Sequence, residues 1–151
     1  MPGWSQDDVD RRNLEVFGNL RPAGLAGQPE KLARDVPEAL IEAECCRLLA
    51  ADGWRTLKTD PVSDKSRGKG FGELGMADTL CLRYSRQGAA AEVLWIEWKS
   101  RRGRVRKHQL EWHTRERACG ALTLIAGLDF PATVKGFWDW YQSSGLARAG
   151  R

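Results

Sequence analysis

The segment Val93-Leu94-Trp95-Ile96-Glu97-Trp98-Lys99 constrains this chain more than any other. Its β-branched and aromatic residues, with no Gly or Pro, predict a buried β-strand. Yet it carries a carboxylate and an ammonium. Side chains alternate across a strand, so Glu97 and Lys99 face the same side, with Cα atoms about 6.6 Å apart at ~3.3 Å of rise per residue. A buried strand holds two charges only when they pair with each other or serve a ligand. Taken alone, a structural Glu–Lys pair is the more economical reading. The rest of the chain has to decide.

Residues 76–84 read as a second strand, with Asp78, Leu80, Leu82 and Tyr84 on one face and Thr79, Cys81 and Arg83 on the other. A turn at 85–88 makes it the antiparallel partner of the strand at 92–99. Upstream, Pro37 opens a helix that Asp35 can cap. Leu40, Ile41, Cys45, Leu48 and Leu49 recur at helical spacing over 38–51, and Gly53 ends it. A short strand follows at 54–59, stopped by Asp60-Pro61. A helix at about 106–119 ends at Gly120, and its apolar side is narrow, so a polar side can line a groove. The apolar run 121–126 predicts a buried strand of the parallel kind. The amphipathic stretch 131–143 turns Val134, Phe137, Trp138 and Tyr141 inward. The order α–β–β–β–α–β–α predicts an α/β fold, a mixed central sheet flanked by helices.

At 151 residues the chain is long enough for one domain with a proper core. The expected organisation is a polar lead-in over 1–36 with a short helix near 7–20, the domain at 37–144, and a frayed tail at 145–151. No apolar run approaches the ~20 residues of a membrane span, and the N-terminus lacks a basic-then-apolar signal, so a cytoplasmic protein that does not enter membranes is expected. Cys45, Cys46, Cys81 and Cys119 lack zinc-site spacing and read as small thiols in a reducing compartment. The net charge of +4 is modest, but Arg101, Arg102, Arg104, Arg106 and Lys107 put five positive charges into seven residues directly after the Glu97/Lys99 strand. A glycine-rich loop at 62–75 adds Lys65, Arg67 and Lys69. It lacks the Gly-Lys-Ser/Thr ending of a phosphate-cradling loop.

Asp78 on one strand and Glu97 and Lys99 on its partner can converge on one patch. Two carboxylates a few ångströms apart repel unless a cation neutralises them. Hard divalent ions are held by one or two carboxylates, with waters and substrate phosphate completing the shell. Lys99 beside such an ion can orient or activate water, or stabilise developing negative charge. The basic run after the strand suits the phosphates of a nucleic acid.

Gly75-Met76-Ala77-Asp78, then 18 residues, then Glu97-Trp98-Lys99, resembles the PD-(D/E)XK nuclease superfamily. With Gln109, Trp112 and Gly120 downstream and Glu38, Glu42, Leu49 and Gly53 upstream, the stretch 37–127 resembles its VRR-NUC branch. The resemblance implies a restriction-endonuclease-like core and a Mg²⁺- or Mn²⁺-dependent phosphodiesterase acting on DNA. It implies that Asp78, Glu97 and the Trp98 main-chain carbonyl hold the metal and that Glu38 joins them directly or through water. Lys99 is then the catalytic lysine, and Gln109 orients it or a substrate phosphate. The chain departs from the pattern at Ala77, where Pro is common, and at Glu42, where Gln is common. Glu38 rather than Glu42 is expected as the helix ligand.

Small stand-alone members of this kind and the Holliday-junction resolvases of the superfamily imply a homodimer acting on branched or structured DNA. Lys69, Arg101, Arg102, Arg104, Arg106 and Lys107 are the expected nucleic-acid contacts. The two histidines, His108 and His113, read as surface or helix-packing residues, and Trp95, Trp98 and Trp112 as packing rather than base stacking. Two rival readings remain: a non-catalytic DNA-binding module that keeps the fold, and a restriction-type duplex endonuclease.

Overall fold

Pro37 opens the first helix, α1 (Glu38–Ala51), as its N-cap residue. With φ −56° and ψ 140°, its carbonyl accepts from the N–H groups of Leu40 (3.0 Å) and Ile41 (3.2 Å). Asp35, the expected cap, lies instead 3.4 Å from Arg102. Among the described residues no side chain caps α1, and Glu38 is the acidic residue of its first turn, at the positive end of the helix dipole. Gly53, with φ 88°, makes the left-handed turn that ends the helix. Ile41, Cys45 and Leu49 form the buried stripe, whereas Leu40, expected inward, is 57% exposed. The computed structural model describes residues 35–59, 72–84 and 90–148. The expected helix at 7–20, Lys69 with most of the glycine-rich loop, and the turn at 85–88 lie outside them.

Four strands follow the predicted order: β1 (Arg55–Lys58), β2 (Thr79–Arg83), β3 (Glu92–Glu97) and β4 (Thr123–Ile125). They form one sheet in the order β1-β2-β3-β4. β1 and β2 are antiparallel, as are β2 and β3, and β4 runs parallel to β3. A parallel neighbour needs a crossover, which helix α2 (Lys107–Ala118) supplies; helix α3 (Val134–Ser143) completes the fold. The chain is thus α/β with a mixed four-stranded sheet and three helices among the described residues.

The β2–β3 register pairs Thr79 with Ile96 and Cys81 with Leu94, and β3–β4 pairs Ile96 with Leu124. This face carries the main core, where Leu94, Ile96 and Trp98 meet Ile41, Cys45 and Leu49 of α1 and Phe137 and Tyr141 of α3. The buried side of β2 is therefore Thr79, Cys81 and Arg83; Leu80 and Leu82 are half-buried and Tyr84 is exposed. The polar groups there have partners. The Trp98 indole N–H donates to Thr79 Oγ1 at 2.9 Å. The Arg83 guanidinium donates to Glu92, Asp52 and Tyr141 and lies 4.4 Å over the Trp54 ring.

Trp98 is wholly buried, edge-on to Phe130 and Phe137 at 6.0 and 5.4 Å between centroids. This anchors the backbone between Glu97 and Lys99. The opposite sheet face receives α2 through Val105, Leu110, Ile125 and Leu128, and through the edge-on contact of Trp95 with Trp112 at 5.5 Å. Beyond α3, Leu146 and Ala147 pack on the core and the Arg148 N–H donates to Asp52 Oδ2 at 3.2 Å; the rest of the expected tail, 149–151, lies outside the described residues. Among the described residues no helix is long and apolar enough to cross a membrane.

Candidate active site

Extending the β2–β3 register by one pair beyond Thr79–Ile96 sets Asp78 opposite Glu97, and directly opposed residues of antiparallel strands point to the same face. Both line a cleft of about 380 Å³, together with Glu38, Lys99 and Gln109. All five residues expected to be catalytic therefore meet in one place.

Asp78, Glu38 and Gln109 come to it from three different parts of the fold. Asp78 Oδ2 accepts from the Trp98 main-chain N–H at 2.9 Å. Its own carbonyl accepts from the Thr59 N–H at 2.8 Å, and the Ala77 carbonyl from Thr59 Oγ1 at 2.5 Å. Glu38 reaches over from α1, and its Oε2 accepts from the Ser100 N–H at 3.3 Å. Gln109 acts at both ends of its amide. Its oxygen accepts from the Arg106 N–H at 3.0 Å, which closes the first turn of α2, and its Nε2 donates to Glu97 Oε1. A backbone donor on one side and a carboxylate on the other demand the same amide orientation. Gly75 adopts φ 84° and lies so close to α2 that a Cβ there would stand 2.1 Å from the His108 carbonyl oxygen. The loop that leads into Asp78 is thus pressed onto the helix that carries Gln109. Glu73 on the same loop accepts from the Trp112 indole N–H at 3.1 Å and from Arg115.

Lys99 departs from the expected arrangement. Its ammonium donates to Glu97 Oε1 and, at 2.9 Å, to the Trp98 carbonyl. The ion pair that the strand suggests in isolation is therefore present. Gln109 bonds Glu97 rather than Lys99. Glu97 is wholly buried, and among the described residues nothing donates to its second oxygen, Oε2. Burial, then the charge of Asp78, pushes the Glu97 carboxyl up to about 8, against the pull of Lys99. Burial also raises Asp78, opposed by Lys99 and the Trp98 N–H, with Glu38 and Glu42 adding to the rise. The cluster is a set of carboxylates short of positive charge.

Glu42 takes another route. It accepts from Lys58 Nζ at 2.8 Å and from Thr79 Oγ1 at 3.2 Å, in a neighbouring hollow. Glu38, not Glu42, lines the main cleft. The basic run divides. Arg104 and Arg106 line the cleft; Arg101 borders an apolar hollow with Val36 and Val134; Arg102 faces Asp35; Lys107 pairs with Glu111 at 3.7 Å. The division follows from the turn at 100–103 and the burial of Val105, which points alternate residues apart.

His108, expected on the surface or in packing, also lines the cleft. His113 is wholly buried, edge-on to Trp112 at 5.1 Å, and both ring nitrogens lack a hydrogen-bond partner among the described residues. Burial first, then Arg117 and Lys99, lowers it to about 3, so it is neutral packing. Sequence reasoning missed Thr59, Glu73 and Ser100. Thr59 donates to backbone carbonyls, Ser100 acts through its own backbone N–H, and Glu73 accepts from Trp112 and Arg115; nothing in their spacing marks them.

Among the described residues no three His, Cys, Asp or Glu side chains cluster closely enough to hold a metal ion by themselves. Two facing carboxylates and a main-chain carbonyl form the oxygen donor set at hand, which suits an ion that keeps several waters. An acceptor oxygen buried without a donor fits a cation. No family model, curated protein or solved structure matches the chain.

Proposed function

We propose that this protein is a Mg²⁺- or Mn²⁺-dependent endonuclease of the PD-(D/E)XK type, with a restriction-endonuclease-like core, that hydrolyses DNA phosphodiester bonds. The observation that carries the reading is the buried Oε2 of Glu97, without a donor among the described residues, on a side chain that lines the same cleft as Asp78. Asp78, Glu97 and the Trp98 carbonyl are the metal ligands, with Glu38 reaching the ion directly or through water. When bound, the ion lowers the pKa of a coordinated water and offsets charge on the phosphate. Gln109 fixes the orientation of Glu97. Lys99 orients the attacking water and stabilises developing negative charge. Arg104 and Arg106, on the cleft wall, hold the phosphates that flank the reacting one. We extend the reading to branched DNA and a homodimer in the cytoplasm, since a four-way junction needs two symmetric cuts.

The test is incubation of the purified protein with labelled duplex, flap and four-way junction DNA, with and without Mg²⁺ or Mn²⁺, beside Glu97→Ala and Lys99→Ala. Metal-dependent cleavage lost in both variants is expected. Cleavage unaffected by Glu97→Ala would refute the assigned site. A mass measurement that finds a monomer at micromolar concentration counts against the dimer. The direct Lys99–Glu97 pair favours a second reading, a non-catalytic DNA-binding module; junction binding without cleavage in any metal would establish it.

A further inference from the structure

We propose that Lys99 is the built-in cation of this site: in the metal-free protein its ammonium occupies the Trp98 carbonyl, and a divalent ion loads by displacing it from that oxygen. This rests on the metal-dependent reading above and adds to it a determinant of metal affinity.

The donor arrangement carries the argument. Glu97 Oε1 receives both Lys99 and Gln109, and among the described residues Oε2 receives nothing. Asp78 Oδ2 is held by the Trp98 N–H, and Glu38 Oε2 by the Ser100 N–H. The Trp98 carbonyl is held by Lys99 alone among the hydrogen bonds of the described residues. The side chain therefore folds back along the cleft wall onto its own strand, to the residues one and two before it. Only 9% of it is exposed. The turn at 100–103 keeps it there: a Cβ on Gly103 would stand 3.2 Å from Lys99 Cδ, so the bare glycine makes room for the stem.

A wholly buried carboxylate needs a positive partner, and without a metal Lys99 provides it. A divalent ion on the same carbonyl would face the ammonium across one oxygen, where like charges repel strongly. The two cations exclude each other at Trp98 O. Lys99 then swings clear with its stem still pinned, and its ammonium enters the cleft where the reacting phosphate lies. Metal loading would thus also place the catalytic group.

Two measurements test this. Calorimetry with MnCl₂ compares wild type, Lys99→Met and Arg104→Gln. Displacement predicts that Lys99→Met binds at least about tenfold tighter, since no closed state has to be opened. Arg104→Gln, which removes a charge from the cleft wall without freeing a ligand, changes affinity less than about threefold because exposed charge is screened. Equal or weaker binding by Lys99→Met overturns the proposal, as does an equal gain in Arg104→Gln.

The second measurement uses wild type, so it stands even if Lys99→Met fails to fold. The Lys99 ¹⁵Nζ resonance is assigned as the one slowed from solvent exchange by its two buried acceptors, and MgCl₂ is added. Displacement predicts that it moves and exchanges faster; Mg²⁺ binding with this resonance unchanged overturns the proposal. No binding of either ion by wild type or by Lys99→Met sinks the metal-dependent reading itself.

Discussion

Replacing Glu97 by Gln should stabilise the metal-free protein while abolishing cleavage. The cause is the same burial that defines the site. The Glu97 carboxyl titrates near 8 in the folded chain and at 4.5 in the unfolded one. Below 4.5 both states hold the proton and stability is unaffected. Between 4.5 and about 8 the unfolded chain releases a proton that the folded chain keeps, so stability falls with rising pH at about 1.4 kcal/mol per unit. Above 8 the loss is complete, on the order of 5 kcal/mol. His113 acts in the opposite sense. Its folded value of about 3 lies below the usual 6.5, so stability rises with pH between those values. The two slopes oppose each other between pH 4.5 and 6.5, and only Glu97 remains above that.

Wild type in EDTA should therefore lose about 2 kcal/mol between pH 6.5 and 8. Glu97→Gln should lose almost none. The variant keeps an amide oxygen as acceptor for Lys99 and Gln109 but forfeits the charge-assisted strength of those bonds, about 1.5 kcal/mol. The net gain at pH 8 is about 2–3 kcal/mol, or roughly 4–10 °C in Tm for a chain of this size. Thermal melts in EDTA from pH 6 to 8.5 read it directly. Adding Mg²⁺ should raise the wild-type Tm and leave the variant unmoved. A variant that melts at or below wild type in EDTA at pH 8, or a wild-type profile that is flat above pH 6.5, refutes the claim that Glu97 is a destabilised carboxylate awaiting a cation.

Three further outcomes follow from the geometry. Gln109→Ala removes both the closure of the first turn of α2 and a donor to Glu97; a loss of about 1–2 kcal/mol in urea melts is expected, with metal affinity down by about 10–100-fold in calorimetry. Gly75→Ala forces a Cβ to within 2.1 Å of the His108 carbonyl oxygen at positive φ. It should therefore separate the Asp78 loop from α2 and weaken Mn²⁺ binding more than it lowers Tm, and an unchanged affinity argues against this close approach. Arg104→Ala and Arg106→Ala should each reduce the salt slope of DNA binding by about 1, whereas Arg101→Ala should not, which filter binding across a salt series will show.

Much of the fold was legible because it is local. The stripe of Ile41, Cys45 and Leu49 marks α1, the hairpin of β2 and β3 follows from alternation around a turn, and the unbroken apolar run near Leu124 marks the parallel strand. What misled sequence reasoning was the choice of face. Leu40 and Tyr84 look like core but are exposed, while Thr79 and Arg83 are buried, because Trp98 and Tyr141 supply partners for their polar groups. Burial of a polar residue depends on a distant partner, which periodicity cannot report.

The order of residues by itself set the strand alternation that puts Glu97 and Lys99 on one face, and the helix phase that puts Glu38 at the start of α1. Only the tertiary structure placed Glu38 on the cleft that Asp78 lines and Glu42 on Lys58 in the neighbouring hollow. Only it divided the basic run, through the turn at 100–103. Only it showed that pair and cluster coexist: Lys99 takes one oxygen of Glu97, and the other is buried without a partner among the described residues. The physical reason is common to all three. Chain connectivity fixes which side of its own element a group occupies, whereas the charge it meets there depends on what folds against it.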